Sequence, residues 1–298
     1  MSSNTMSADA LTALQPKFKF FVGIDSDGCA FDSMEIKHKE CFCPNTIKHW
    51  NLQAVSKYAR EAWDFVNLYS KWRGTNRWPA LISVLDFLRE RPEVIARHCE
   101  IARADKVRAF IASGKALSND GLKTYMAEHP DPELDLAMRW SKAINDSISD
   151  MVHSLPPFPY VRESLELLQE NADAVVVSQT PAEALVREWQ EHGIDRYVRA
   201  IAGQEMGTKK QHLKMATSGK YAADHVLMIG DANGDLDAAR ANSALFFPVN
   251  PGHEEESWER FYKEGVHKFL AGEYSGPYET SLIAEFEKLL PSVPPWKH

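Results

Sequence analysis

The pattern of strands and helices along this chain is broken in two, and that break limits its possible folds more than any other feature. The segment Phe18 to Asp25 is apolar, aromatic and β-branched and ends in a small polar cluster, which reads as a buried strand followed by a loop. The next runs of that kind begin only at Ala174. From there short apolar runs alternate with helical stretches. Strands are expected at Ala174 to Val177, Val198 to Ala202, His225 to Ile229 and Ala244 to Val249. Helices are expected at Pro181 to His192, Lys209 to Ser218 and Asp235 to Ala241, the first opened by Thr180 as a cap. Alternation of this kind implies a parallel sheet covered by helices on both faces, and the upstream strand should join it.

Between Lys37 and His153 the periodicity is helical. Leu52, Val55, Ala59, Ala62, Trp63 and Val66 recur at three- and four-residue intervals. Further helices are expected around Leu81 to Leu88, ended near Arg91-Pro92, around Val107 to Ile111, ended near Gly114, and from Asp131-Pro132 past Ile148. Leu155-Pro156-Pro157-Phe158-Pro159 then interrupts every periodicity, because proline lacks an amide donor and restricts its predecessor. The expected fold class is therefore α/β, a Rossmann-like parallel sheet core with an all-helical cap inserted after the first strand. Residues 1–17 are expected to be a loose tail, 18–34 with 155–298 the core and its C-terminal helical extension, and 35–154 the cap. The extension contains two helices, near Trp258 to Phe269 and Ser281 to Leu290.

Composition narrows the function. Apolar residues make up 44% and charged residues 26% of the chain, enough to bury a core and too little charge to favour disorder. A formal charge of -8 disfavours sequence-independent nucleic-acid binding, which depends on cationic side chains displacing counterions. The tail Met1 to Gln15 lacks a basic start followed by an apolar run, and no stretch is apolar for long enough to span a bilayer. A cytoplasmic protein without membrane partners is expected. Four cysteines in so long a chain do not suggest a disulfide scaffold. His38, Cys41, Cys43 and His49 have residue types that could bind zinc, but Cys-x-Cys is not the usual knuckle spacing, and packing is the favoured reading.

In an open parallel sheet, ligands bind beyond the carboxyl ends of the strands where the winding reverses. The residues to consider there are Asp25-Ser26-Asp27-Gly28, Ser178-Gln179-Thr180 and Gly230-Asp231-Ala232-Asn233-Gly234-Asp235. Carboxylates gathered at one rim raise one another's pKa values unless a cation compensates them. Hard oxygen ligands with few histidines favour magnesium, with Asp25, Asp27, Asp231 and Asp235 as candidate ligands. Lys209 or Lys210, at the start of a helix, could supply positive charge for a phosphate.

These segments resemble, in order, the motifs of the haloacid dehalogenase superfamily. Phe21-Val22-Gly23-Ile24-Asp25-Ser26-Asp27-Gly28 is similar to the first, Val175-Val176-Val177-Ser178 to the second, Lys209 to the third, and Met228-Ile229-Gly230-Asp231 with Asp235 to the fourth. The resemblance implies a magnesium-dependent phosphatase acting on a small phosphorylated metabolite. Asp25 would be the nucleophile and Asp27 the acid and base, its backbone carbonyl also reaching the metal. Ser178 would donate to the transferring phosphoryl group, and Lys209 would neutralise it. Asp231 would bind magnesium directly, and Asp235 would bind it or orient a bound water.

Gly28 and Gln179 are further substrate-binding candidates. In the helical segment, Trp72-Arg73-Gly74-Thr75-Asn76-Arg77 is similar to a Lys-Gly-x-x-Arg loop of the β-phosphoglucomutase subgroup, which would give Arg77 a substrate contact. The bland alternative leaves Arg73 and Arg77 solvated. A phosphomutase is the alternative enzyme, although the equivalent of its histidine falls on Lys37 or His38 without a clean match. A non-catalytic binding protein on the same fold is the alternative from another class.

Overall fold

A computed structural model describes residues 7–297. The chain divides into two compact units, one formed by residues through Met34 together with Ser154–Leu289, the other by Glu35–His153 together with the closing residues from Leu290.

The first unit is built on a five-stranded parallel sheet in the order β3-β2-β1-β4-β5, with β1 Phe20–Ile24, β2 Ala172–Val177, β3 Ala200–Ala202, β4 Val226–Gly230 and β5 Leu245–Pro248. Every residue of β1, β2, β4 and β5 is buried, which is why these segments read as continuous apolar runs and show no alternation. The register Gly23↔Val175 on one side and Gly23↔Met228 on the other makes β1 the centre of the sheet. The chain winds outward from β1 through β2 to β3, then returns to the far side of β1 as β4 and continues to β5. The reversal therefore falls between β1 and β4, and the carboxyl ends of these two strands form the crevice.

Helices cover both faces. One face carries Val22, Ile24, Leu227, Ile229 and Phe247 in a core shared with Trp189, Trp258, Phe261 and Phe269. On the other, the helix Lys209–Thr217 comes so close to β1 that a Cβ on Gly23 would lie 2.9 Å from Leu213 Cδ2.

The expected loose tail contains a helix, Ala8–Ala13, capped by Ser7 and burying Leu11; residues 1–6 of that tail lie outside the described residues. One short turn with a single large apolar residue leaves too little periodicity to detect. Phe18, expected to open the first strand, precedes it, and the backbone amides of Lys17 and Phe18 both donate to the buried Asp173 carboxylate. A helix at Val161–Gln169, directly after the proline-rich segment, was also not anticipated.

The second unit is helical, with Ser56–Asn67, Arg77–Glu90, Asp105–Ala112, Asn119–Glu128 and Pro132–Met151 as its longer elements. Its core includes Trp63, Trp78, Phe110 and Trp140, and Trp140 Nε1 donates to Thr46 Oγ1 at 3.0 Å. The start of its longest helix follows from the sequence: Asp131 accepts from the Glu133 amide, and Pro132 occupies the first turn, where no amide is needed. The helix Asn119–Glu128 buries only Leu122 and Tyr125 and left no periodic signal.

Residues 290–297 correct an expectation. Expected with the α/β core, they group instead with the helical unit, where Trp296 packs edge-on against Phe65 and Phe87 and lies under the Arg91 guanidinium. The candidate zinc residues do not converge. His38 stacks on Phe42 and accepts from Trp63 Nε1, and His49 Nδ1 contacts the Asn45 carbonyl. Among the described residues the only cluster with metal-binding geometry lies elsewhere. No helix among them is long and apolar enough to cross a membrane.

Candidate active site

Asp25 follows β1 directly, and Asp231 follows β4. Parallel pairing of these strands brings the two aspartates to one edge, and the helix Asn233–Ala241 adds Asp235 from its first turn. All three are buried, and one carboxylate oxygen of each lies within 4.8 Å of the others. Gly230 makes the crowding possible. A Cβ there would sit 2.3 Å from the Asp235 Cβ, so only glycine lets the strand end lie against that side chain.

The helix Lys209–Thr217 delivers the compensating charge. Thr208 and Gln211 form a capping box that fixes the start of the helix, and Lys209 occupies its first position. A lysine there opposes the helix dipole, so its stabilisation must come from elsewhere. It comes from two carboxylates: Lys209 Nζ lies 2.6 Å from Asp25 Oδ2 and 2.6 Å from Asp235 Oδ1. The neighbouring Lys210 is exposed, which decides between the two lysines.

Both oxygens of Asp25 are held, Oδ2 by Lys209 and Oδ1 by the Ser26 amide at 2.8 Å. Both oxygens of Asp235 are held as well, Oδ1 by Lys209 and Oδ2 by the Ala232 amide at 3.1 Å. Burial raises the Asp25 carboxyl well above the usual range, opposed by Lys209 and reinforced by Asp235 and Asp231. Asp235 is raised by burial in the same way, with Lys209 again opposing. Burial alone would lower Lys209, but Asp235 and Asp25 outweigh it and hold the ammonium charged. Three buried carboxylates sharing one ammonium leave negative charge uncompensated, and the donor set is all hard oxygen. That arrangement fits a divalent cation of the magnesium type.

Asp27 takes a different position. Its carboxylate lies outside the three-residue cluster and accepts from Ser33 Oγ on one oxygen and from Thr180 Oγ1, at 2.6 Å, on the other. Only the backbone carbonyl of Asp27, and not its carboxylate, therefore remains a candidate for metal contact. Ser178 is buried, and its hydroxyl accepts from the Thr180 amide at 3.2 Å. Gly28 has φ of +72° and donates its amide to the Phe31 carbonyl, a tight turn that requires its backbone freedom. Gln179 Nε2 donates to the Gly207 carbonyl at 2.8 Å. Gly28 thus shapes the loop that carries Asp25 and Asp27, and Gln179 ties its own loop to the one that precedes Lys209.

Arg77 lies in the helical unit. Its Nη1 donates to Ser141 Oγ at 2.9 Å and Asn145 Oδ1 at 2.8 Å, and its guanidinium lies over the Phe42 ring at 5.2 Å. Burial lowers it to about 10. Arg73 is not solvated: it is buried and donates to the Leu68 carbonyl. The sequence reading missed Ser33 and Thr180 as partners of Asp27. The sequence points to Thr180 only as a helix cap, a usual role of a hydroxyl residue after a strand.

A family model described as haloacid dehalogenase-like hydrolase matches residues 109–248. The match includes Ser178, Lys209, Asp231 and Asp235, and the sheet brings Asp25 to the same cluster from outside the matched segment. No curated protein matches the chain. Solved structures similar to it include a predicted phosphoglycolate phosphatase from Haemophilus somnus 129PT, at 15% identity, covering 78% of this chain and 84% of that one, TM-score 0.48. A haloacid dehalogenase-like family protein from Streptococcus pneumoniae is 14% identical over 82% and 90% of the two chains, TM-score 0.45. A protein assigned as a HAD-hydrolase from Bacillus subtilis, solved with magnesium, is 14% identical over 77% and 86%, TM-score 0.39. These are remote neighbours. Residues 109–248 are thus similar to the haloacid dehalogenase-like hydrolases, and the parallel sheet brings the motif residues of that segment to one edge.

Proposed function

We propose that the chain is a magnesium-dependent phosphatase that hydrolyses a small organic phosphate monoester through an aspartyl phosphate on Asp25. The observation that carries this reading is the buried carboxylate held at both oxygens, by the Ser26 amide and by Lys209, beside Asp231 and Asp235. A carboxylate fixed in that way is oriented for in-line attack, and its ammonium partner favours the charged form against the effect of burial.

In the first step an Asp25 oxygen forms a bond to phosphorus while the ester P–O bond breaks, and Asp27 gives its proton to the leaving alkoxide. In the second, water attacks the phosphoryl group, Asp27 takes a proton from that water, and the Asp25 carboxylate is released. The hydroxyls of Ser33 and Thr180 keep Asp27 oriented between these duties. Ser178 donates to the phosphoryl oxygens, and Lys209 neutralises them. Asp25, the Asp27 carbonyl and Asp231 would hold magnesium, with Asp235 as a ligand or as partner to a bound water. When bound, the ion supplies charge neutralisation for both the carboxylates and the phosphate.

The test is phosphate release from a panel of phosphorylated metabolites with magnesium, run beside Asp25→Asn. The amide is nearly isosteric and is no nucleophile here, so turnover should vanish while the protein stays folded. Undiminished phosphate release by Asp25→Asn would refute the mechanism.

A further inference from the structure

We infer that Trp189 and Glu188, from the helix Ala182–Glu191, brace Ser26 so that its backbone amide holds the attacking carboxylate of Asp25 in place. The inference rests on Asp25 being the nucleophile. It assigns positioning roles to three side chains that never touch substrate.

Ser26 stands between the two aspartates and is fully buried. Its hydroxyl is occupied in both directions: Trp189 Nε1 donates to Ser26 Oγ at 2.9 Å, and Ser26 Oγ donates to Glu188 Oε2 at 3.2 Å. The backbone of the same residue is equally committed. Its amide donates to Asp25 Oδ1 at 2.8 Å, and its carbonyl accepts from the amides of Ala30 and Phe31 at 2.9 and 3.1 Å. The peptide carrying the amide to Asp25 is therefore fixed from the side-chain end by a helix on the other side of the loop.

That helix is itself firmly seated. Trp189 is fully buried and meets Phe31 edge-on at 5.9 Å, and the start of the helix is held where the Ala182 amide donates to Glu205 at 3.1 Å. Gly203 allows this approach, since a Cβ there would lie 2.6 Å from the Ala182 nitrogen. The two oxygens of Asp25 are thus fixed by separate helices, Oδ2 by Lys209 directly and Oδ1 by Trp189 through Ser26. If the Ser26 link is cut, the buried loop keeps its carbonyl bonds, but the amide that orients Oδ1 loses its side-chain brace.

The test compares Trp189→Phe, which removes the indole N–H and keeps a ring against Phe31, with Ser26→Ala and the double variant. Turnover of p-nitrophenyl phosphate with magnesium is measured alongside melting temperature and an Asp25→Asn control. We expect kcat to fall roughly tenfold in each single variant, short of the about hundredfold that a 1 Å displacement can cost, with KM little changed. The double variant should be no slower than the slower single, because both cut one link. A merely structural bond would lower melting temperature and leave kcat untouched. Full kcat in Trp189→Phe, with Asp25→Asn inactive, overturns the brace and leaves the nucleophile standing. Turnover retained by Asp25→Asn overturns both.

Discussion

Lys209 Nζ and Asp25 Oδ2 lie 2.6 Å apart, a contact that joins the first turn of one helix to the end of the central strand. The same ammonium serves Asp235, so its removal strands two buried carboxylates at once. Lys209→Met should therefore lower stability by about 3–5 kcal/mol in metal-free buffer at neutral pH, and magnesium should restore part of that loss. Denaturant titrations with and without magnesium check this. Equal stability of variant and wild type in both conditions would show that the contact carries no net weight.

Asp231 and Asp235 should differ as metal ligands. Both oxygens of Asp235 already accept from Lys209 and the Ala232 amide, so it is best placed to orient what lies beyond it. Asp231→Asn should weaken magnesium binding by more than the roughly 10- to 100-fold expected of an outer partner, and Asp235→Asn should stay within that range. Isothermal calorimetry distinguishes them, and equal losses would make both direct ligands.

Arg77 carries a positive charge that no carboxylate among the described residues matches, held by Ser141 and Asn145 and stacked on Phe42. We expect it to serve substrate selection. Arg77→Ala should reduce kcat/KM for the native substrate by roughly one to three decades and leave p-nitrophenyl phosphate nearly unaffected. Similar losses on both substrates would assign Arg77 to the integrity of the helical unit.

His212, on the same helix as Lys209, is fully buried, and burial and the Lys209 charge lower it to about 4, against the pull of the Gly203 and Gly207 backbone. An unfolded histidine titrates near 6.5, so between these values the unfolded chain binds more protons. The stability associated with neutral His212 is complete above about 6.5 and is lost as pH falls toward 4, by up to about 3 kcal/mol. In His212→Leu the decline of stability across that window should be shallower. An unchanged slope would mean that His212 does not limit acid stability.

The sequence by itself determined the α/β core, the residues Asp25, Asp27, Ser178 and Asp231 after strand ends and Asp235 in the helix that follows, for physical reasons. Strands buried on both faces must be continuous apolar runs, and polar residues after such strands can only lie at the sheet's carboxyl edge. The prolines around residue 156 and the capping signal at Asp131 were equally local and equally legible. Tertiary structure alone decided the rest. Lys209 and Lys210 are chemically alike, and only the capping box and helix phase turn the first toward Asp25. Ser33 and Thr180 hold Asp27 from positions 6 and 153 residues away in the chain. Trp189 reaches Ser26 across 163 residues, and Trp296 packs on the helical unit from the far end of the chain. Short-range patterns record which face of an element is buried. They do not record which donor, delivered by another element, that face will meet, because this depends on how the helices close over the sheet.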